Sequence, residues 1–81
     1  MGHEQIKGLP SGWRPIRFFQ SILHPRDAVV MCEMGRENFE HEKRYVTWSC
    51  NMIEGGCHNG FYSDHPDLAR ADFYRRVESM N

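Results

Sequence analysis

Residues 45–65, YVTWSCNMIEGGCHNGFYSDH, decide the fold of this chain. The stretch opens as a strand over residues 44–51, because Val46, Trp48 and Cys50 alternate with residues that point the other way. This alternation predicts that one face of the strand is core. A Gly-Gly pair at residues 55–56 then supplies the positive φ angles of a tight reversal, and a second strand returns from residue 57. The sequence therefore predicts a β-hairpin.

Two registers of this hairpin are compatible with the sequence. A four-residue loop places Cys50 opposite Cys57, whereas a five-residue loop places Trp48 opposite Gly60. The choice also decides the face of the sheet on which Tyr62 lies. We prefer the five-residue loop, because a large indole lying over a glycine fills a gap that would otherwise be empty.

Further strands are predicted upstream of the hairpin. Residues 28–34, AVVMCEM, form a short apolar run typical of a buried strand. Residues 15–23, PIRFFQSIL, fit either a helix that begins at a proline or a strand, and we favour the strand because residues 24–27, HPRD, supply a turn with proline at its second position. Residues 1–12 show no periodicity and are interpreted as an irregular arm that precedes a single domain over residues 13–81.

The chain ends in a pattern typical of an amphipathic helix. Asp64 offers a carboxylate cap and Pro66 a proline in the first turn. An apolar stripe follows at helical spacing, and Leu68 widens it; its members are Ala69, Phe73, Val77 and Met80. We therefore predict an α+β fold, in which a small antiparallel sheet of three or four strands carries a C-terminal amphipathic helix packed on one face.

Composition excludes several classes of function. The chain has 81 residues, a formal net charge of −1 and three cysteines. A near-neutral chain without a basic stripe makes nucleic acid an unlikely partner, because phosphate-backbone binding draws on clustered Lys and Arg. No apolar run approaches the roughly 20 residues that span a bilayer, so no membrane association is expected. Without a secretory signal or a disulfide framework, we expect a cytoplasmic protein.

The second half of the chain resembles a type of small uncharacterised protein found in bacteria and their phages. Such chains carry a hairpin with Trp, paired Gly and a Gly-x-Tyr return, followed by a helix containing Ala-x-x-Asp-Phe-x-x-Arg. The matching residues lie within roughly the last 37 positions: Tyr45-Val46-Thr47-Trp48, Gly55-Gly56, Gly60-Phe61-Tyr62, Ala69, Asp72-Phe73 and Arg76. The resemblance implies a hairpin-helix fold, and it implies no activity because no function is established for that group.

The alternative to a purely structural role for the hairpin is a zinc-stabilised module that uses Cys50, Cys57, His58 and His65. Zinc prefers thiolate and imidazole ligands, and its strong sequence signal is a pair of closely spaced ligand couples. Neither spacing here is such a couple, and adjacent Cys57 and His58 point to opposite faces of a strand. We therefore predict no cofactor, and we expect Cys50 and Cys32 to be small buried hydrophobic residues.

Protein binding is the function that the sequence favours. A chain of this size has little room for a catalytic pocket, whereas its aromatic and charged residues include the types that anchor interfaces. The candidate contacts are an acidic segment with Glu37, Glu40, Glu42 and Tyr45, and an outer helix face with Arg70, Tyr74 and Arg75. The partner is expected to be another protein, for the acidic segment one with a basic surface, and a homodimer is an open alternative. By analogy of size, a phage-encoded inhibitor that occludes a host defence system, as anti-CRISPR proteins do, fits this reading.

Overall fold

The computed structural model describes residues 6, 8–35 and 43–80. Four strands and one helix follow each other in the order β1 (Trp13–Gln20), β2 (Asp27–Met34), β3 (Tyr45–Asn51), β4 (Cys57–Ser63) and α1 (Pro66–Met80). The strands form one sheet in the order β1-β2-β3-β4, with every neighbouring pair antiparallel. Helix α1 packs against β2, β3 and β4. The predicted α+β fold is confirmed.

The segment that fitted either a helix or a strand is a strand. Strand β1 runs beside β2 from Trp13 to Gln20, with a register shift that leaves Ile16 as an extra residue. The predicted turn after it is confirmed, because the Asp27 N–H donates to the His24 carbonyl oxygen at 2.8 Å. Proline at the second position of this turn fixes the φ angle that the reversal needs.

The β3–β4 hairpin combines the two registers that the sequence left open. Next to the turn, Cys50 lies opposite Cys57, as the four-residue loop predicts, so our preference for the longer loop is wrong there. The register then shifts, and Val46 lies opposite Tyr62, as the five-residue loop predicts. Strand β4 accommodates the change with a bulge at Asn59, whose φ of 54° lies in the left-handed region.

The predicted contact between the indole and the glycine lies at this bulge. A Cβ atom added to Gly60 would come within 2.6 Å of Nε1 and 2.9 Å of Cδ1 of Trp48. Trp48 also makes edge-to-face contacts with Trp13 and Tyr62, with ring centroids 5.6 and 6.0 Å away. The indole of Trp48 therefore occupies the space that a side chain at position 60 would fill.

The central strands β2 and β3 are buried on both faces, so the prediction that only one face of β3 is core is wrong. Under the helix, Val29 and Met31 pack against Ala69 and Phe73. Thr47, on the same face, is fully buried, and its hydroxyl donates to the Ala69 carbonyl oxygen at 2.9 Å. The opposite face forms a second cluster that the N-terminal segment covers; its buried members are Ile6, Ala28, Val30, Cys32, Val46, Trp48 and Cys50, with Leu9 and Trp13 packed against them.

Helix α1 differs from its prediction at its first turn. The residue before the helix is His65, whose carbonyl oxygen accepts from the Ala69 N–H, and whose own N–H donates to the Ser63 hydroxyl at 3.0 Å. The Asp64 carboxylate, predicted to cap the helix, lies 3.8 Å from Lys43 Nζ. Leu68 is 52% exposed and does not widen the apolar stripe, because one residue of rotation turns it away from the sheet. No helix in the described part of the chain is long and apolar enough to cross a membrane.

The N-terminal segment lies directly on the hairpin turn. Gly8 has a φ of 77°, and a Cβ atom there would lie 2.7 Å from both Cα and N of Gly56. Backbone packs on backbone at this point, which only a residue without a side chain allows. This contact holds the N-terminal segment over the second cluster.

Replacement of Gly8 with alanine is expected to lower the free energy of unfolding by about 2 kcal/mol, from the strain of a positive φ and the clash with Gly56. The loss is limited because the segment can lift off locally. Gly56→Ala is the matched control, since its φ of 103° is also positive but a Cβ there meets nothing within 4 Å. Urea denaturation and limited proteolysis measure the effect. Equal losses for the two variants, with no gain in N-terminal cleavage for Gly8→Ala, would contradict the close approach.

Candidate functional site

The acidic half of the predicted binding surface is only partly described. Glu37, Glu40 and Glu42 lie outside the described residues. Tyr45, which the sequence grouped with them, is partly buried and packs against the cluster under the helix. Tyr45 thus contributes much of its side chain to the core.

The three residues of the outer helix face are exposed but already contact other parts of the chain. Arg70 forms an ion pair with Asp67. The Tyr74 hydroxyl accepts a hydrogen bond from Arg17 Nη1 at 3.1 Å, and its ring is 47% exposed. Arg75 pairs with Asp72, which is buried. The positive charge of this face is therefore largely matched within the chain.

The cysteines and histidines considered as zinc ligands are brought together only in part. Cys50 Sγ lies 3.1 Å from Cys57 Sγ, and all three cysteines are free thiols. His58 lies opposite Ser49, on the helix side of the sheet and away from the thiols. Across the described residues, no three His, Cys, Asp or Glu side chains are placed to hold a metal ion.

Burial disfavours the thiolate form of Cys32 and Cys50. Desolvation raises the pKa of Cys32 to about 12. Desolvation also raises the pKa of Cys50, and the hydrogen bond to Cys57 adds to that rise. A thiol in this state is a poor metal ligand.

A buried polar cluster, which the sequence analysis did not predict although it named Asp72 and Arg76, joins the helix to the hairpin. The Arg76 guanidinium donates to Asp72 Oδ2 at 2.7 Å, to Ser49 Oγ at 2.9 Å and to the Asn59 carbonyl oxygen. Asp72 is 5% exposed and also accepts from Arg75. Within the described residues, no buried side-chain nitrogen or oxygen lacks a partner. Because Arg76 lies on the helix and donates to the carbonyl oxygen of Asn59, the cluster anchors the bulge to the helix.

The most unusual exposed surface lies at the end of the sheet where the β1–β2 and β3–β4 loops meet. We define the loop-tip surface as Ile22, Leu23 and Ile53, whose side chains are 85%, 68% and 67% exposed. The two loops are joined by a hydrogen bond from the Met52 N–H to the Arg26 carbonyl oxygen at 2.7 Å. Leu23 and Ile53 line one open groove between them.

Hydrogen bonds within each loop hold this surface in place. Asn51 Oδ1 accepts from the Ile53 N–H at 3.0 Å and from the Glu54 N–H at 2.8 Å. In the other loop, Ser21 Oγ accepts from the His24 N–H at 3.0 Å. Side-chain bonds of this kind fix a turn locally, so the aliphatic groups are presented on ordered backbone.

Sequence reasoning missed the loop-tip surface, although a signal was present. Ile22 and Leu23 belong to the segment over residues 15–23 that is predicted as a strand, and Ile53 lies in the loop of the predicted hairpin. Loops are usually polar, so three large aliphatic residues beside turn-forming proline and glycine residues are unexpected. Only the pairing of β2 with β3 shows that the two loops are neighbours.

Comparison of the chain with models of protein families, with curated proteins and with solved structures found no match.

Proposed function

We propose that this protein is a non-enzymatic binding module that docks another protein through the loop-tip surface. The observation that carries the proposal is the exposure of Ile22, Leu23 and Ile53 on two loops joined by a hydrogen bond. Scattered exposed aliphatic residues are ordinary, but adjacent ones on ordered loops are typical of interaction sites. Ordered loops also lower the entropy cost of docking.

Burial of the loop-tip surface by a partner would provide enough free energy to hold the two proteins together. Complete burial of an aliphatic side chain contributes about 1.5–3 kcal/mol, so the three together offer at most roughly 4.5–9 kcal/mol before the cost of association. Polar groups surround the apolar groups, since His24, Arg26 and Asp27 line the same groove. An apolar centre with a polar rim is the usual arrangement of a protein interface.

The partner that fits this surface is a protein with a shallow apolar cleft. An inhibitor of a host defence system that acts by occlusion is one form of the proposal, and it is supported by the small size of the chain and by analogy. A cytoplasmic location and the contacts on the acidic segment and the outer helix face stay predictions.

Self-association through the edges of the sheet is the form of binding that the geometry supports least. Strand β1 carries Pro15 and the extra residue Ile16 on one edge, and β4 carries the Asn59 bulge on the other. Proline and bulges interrupt the ladder that a second sheet would extend. We therefore expect any dimer to form through the loop-tip surface instead.

The triple variant Ile22→Ser/Leu23→Ser/Ile53→Ser is expected to bind its partner at least about tenfold more weakly, because the loss of apolar burial removes more than 1.4 kcal/mol. Its free energy of unfolding should change by only about 1 kcal/mol, because these side chains are exposed in the folded chain. The matched control is Arg70→Ala/Tyr74→Ala, which changes the outer helix face and leaves both the loop tips and the pair of Arg75 with Asp72 intact.

A photo-crosslinking amino acid placed at position 23, and in a separate protein at position 74, identifies the partner in bacterial lysate. The expected result is a defined adduct from position 23 that disappears when Ile22 and Ile53 are changed to serine. Sedimentation of the purified protein separates a dimer from a foreign partner. Adducts that form equally from both positions, or that survive the serine changes, would refute the loop-tip surface as the binding site.

A further inference from the structure

Cys50 and Cys57 form a cross-strand pair of thiols at the base of the β3–β4 loop. The two residues lie directly opposite each other in the ladder, and their Sγ atoms are 3.1 Å apart. Opposed residues of antiparallel strands have Cα atoms about 4.5–5.5 Å apart, and disulfides span about 4.4–6.8 Å. The backbone is therefore already at the spacing that a disulfide needs.

The third cysteine is placed differently. Cys32 lies on β2 opposite Val46, in the part of the ladder away from the loop, and it is fully buried. Cys50 lies opposite Ala28, and Ala28 precedes Cys32 by four positions on β2. At about 3.4 Å per residue, this offset separates Cys32 from the pair along the sheet, so the geometry distinguishes one thiol pair from the remaining thiol.

We propose that Cys50 and Cys57 are a reversible redox pair that closes an intramolecular disulfide when it meets a low-molecular-weight disulfide such as oxidised glutathione. The Cys57 thiolate attacks one sulfur of the glutathione disulfide, forms a mixed disulfide and releases one glutathione thiolate. Cys50, after losing its proton to solvent, attacks the Cys57 sulfur and releases the second. Two protein thiols are oxidised and one glutathione disulfide is reduced to two glutathione thiols, so atoms and electrons balance.

Exposure and hydrogen bonding favour Cys57 as the first nucleophile. Cys57 is partly exposed, whereas Cys50 is only 2% exposed. Burial raises the pKa of Cys57, and the hydrogen bond that it shares with Cys50 opposes that rise. Cys57 is therefore the thiol of the pair that a small disulfide in solution can reach.

The disulfide would add a covalent bond to the loop that carries Ile53. In the reduced protein the loop is closed by the hydrogen bond from the Asn51 N–H to the Gly56 carbonyl oxygen at 3.1 Å and by the bonds to Asn51 Oδ1. The new bond would join the residue pair next to Asn51 and Gly56, on the side away from the loop. The redox pair does not depend on protein binding, so it goes beyond the proposed function and can be tested without a partner.

The test incubates the purified reduced protein in buffers of reduced and oxidised glutathione, blocks free thiols with N-ethylmaleimide after denaturation, and measures the intact mass. The reduced protein should take up three maleimides and the oxidised protein one. Cleavage after glutamate residues, which include Glu54 between the two cysteines, should release residues 43–54 and 55–78 as separate fragments from the reduced chain and leave these two fragments joined in the oxidised chain. Cys32→Ala should oxidise like the wild type, whereas Cys50→Ser and Cys57→Ser should not form the bond.

Comparison with the unfolded chain shows whether the fold, and not only proximity in sequence, creates the pair. The same glutathione buffers in concentrated urea give the oxidised-to-reduced ratio of the unfolded protein. We expect this ratio to be at least about tenfold higher in the folded protein, because the folded chain holds the thiols together. An equal or lower ratio, a stable glutathione adduct on Cys57, a bond to Cys32 or a disulfide-linked dimer would each overturn the proposal.

Discussion

Trp48→Ala is expected to lower the free energy of unfolding by about 3–5 kcal/mol, the range seen for the removal of a buried aromatic side chain. Trp48 is 4% exposed, and its ring contacts Trp13 and Tyr62. A domain of this length is stabilised by roughly 4–12 kcal/mol, so the loss amounts to a large share of the total. We expect the variant to be partly unfolded at 37 °C.

Urea denaturation followed by far-ultraviolet circular dichroism is the suitable measurement, because it does not depend on the tryptophan that is removed. The matched control is Ile22→Ala, which also truncates a large side chain, but one that is 85% exposed. Its loss should stay below about 0.5 kcal/mol. If the two variants lost similar stability, Trp48 would not be the centre of the second cluster.

A double-mutant cycle with Gly60 tests the packing that surrounds this indole. Gly60→Ala alone is expected to destabilise the protein by about 1–3 kcal/mol, because the new methyl group overlaps the Trp48 ring. In the Trp48→Ala background the overlap with the indole is removed and only the close approach to Tyr62 Cε1 at 2.9 Å remains, so the same substitution should cost less. Additive losses would mean that Gly60 is needed for its backbone conformation and not for the space it leaves.

Asp72→Ala is expected to lower the free energy of unfolding by about 2–4 kcal/mol. The substitution leaves the Arg76 guanidinium without its carboxylate in a largely buried position, and an uncompensated buried charge is costly. We place the loss below the highest values for fully buried pairs, because the Arg76 side chain is 15% exposed and keeps its bonds to Ser49 and Asn59. The helix would also lose its link to the bulge.

Asp67→Ala supplies the control on the same helix. Asp67 forms an equivalent pair with Arg70, but its side chain is 83% exposed, so its loss should be below about 1 kcal/mol. Urea titration of both variants measures the difference, and hydrogen exchange of the Asn59 and Gly60 amides reports on the bulge. Equal losses, or unchanged exchange at the bulge in Asp72→Ala, would show that the cluster does not anchor the helix.

The elements that sequence reasoning predicted are those with local signals. Alternation of Val46, Trp48 and Cys50 is a property of neighbouring residues, and so is the helical spacing of Ala69 and Phe73. The register was only half predicted, because both loop lengths are compatible with the local pattern. A bulge that uses both registers depends on how the β4 backbone fits around Trp48, and composition does not reveal such a fit.

The second buried face and the loop-tip surface were missed for a different reason. Ile6 and Leu9 lie in a segment without periodicity, so nothing in their own neighbourhood indicates that they cover a sheet. The loops that carry Leu23 and Ile53 become neighbours only through strand pairing. Polar pairs such as Asp72 with Arg76 are ambiguous for a related reason, since spacing i, i+4 is equally common on exposed helix faces.

The contact of Gly8 with Gly56 also constrains the order of folding. It joins residues 48 positions apart in sequence, so it closes a long loop and is expected to form after the local hairpins and the helix. During synthesis, the face that carries Trp48 stays in water until residue 56 has left the ribosome and the N-terminal segment can return. A partly made chain therefore exposes an aromatic surface that the finished chain hides, and chaperone recognition of this protein is expected to be strongest at that stage.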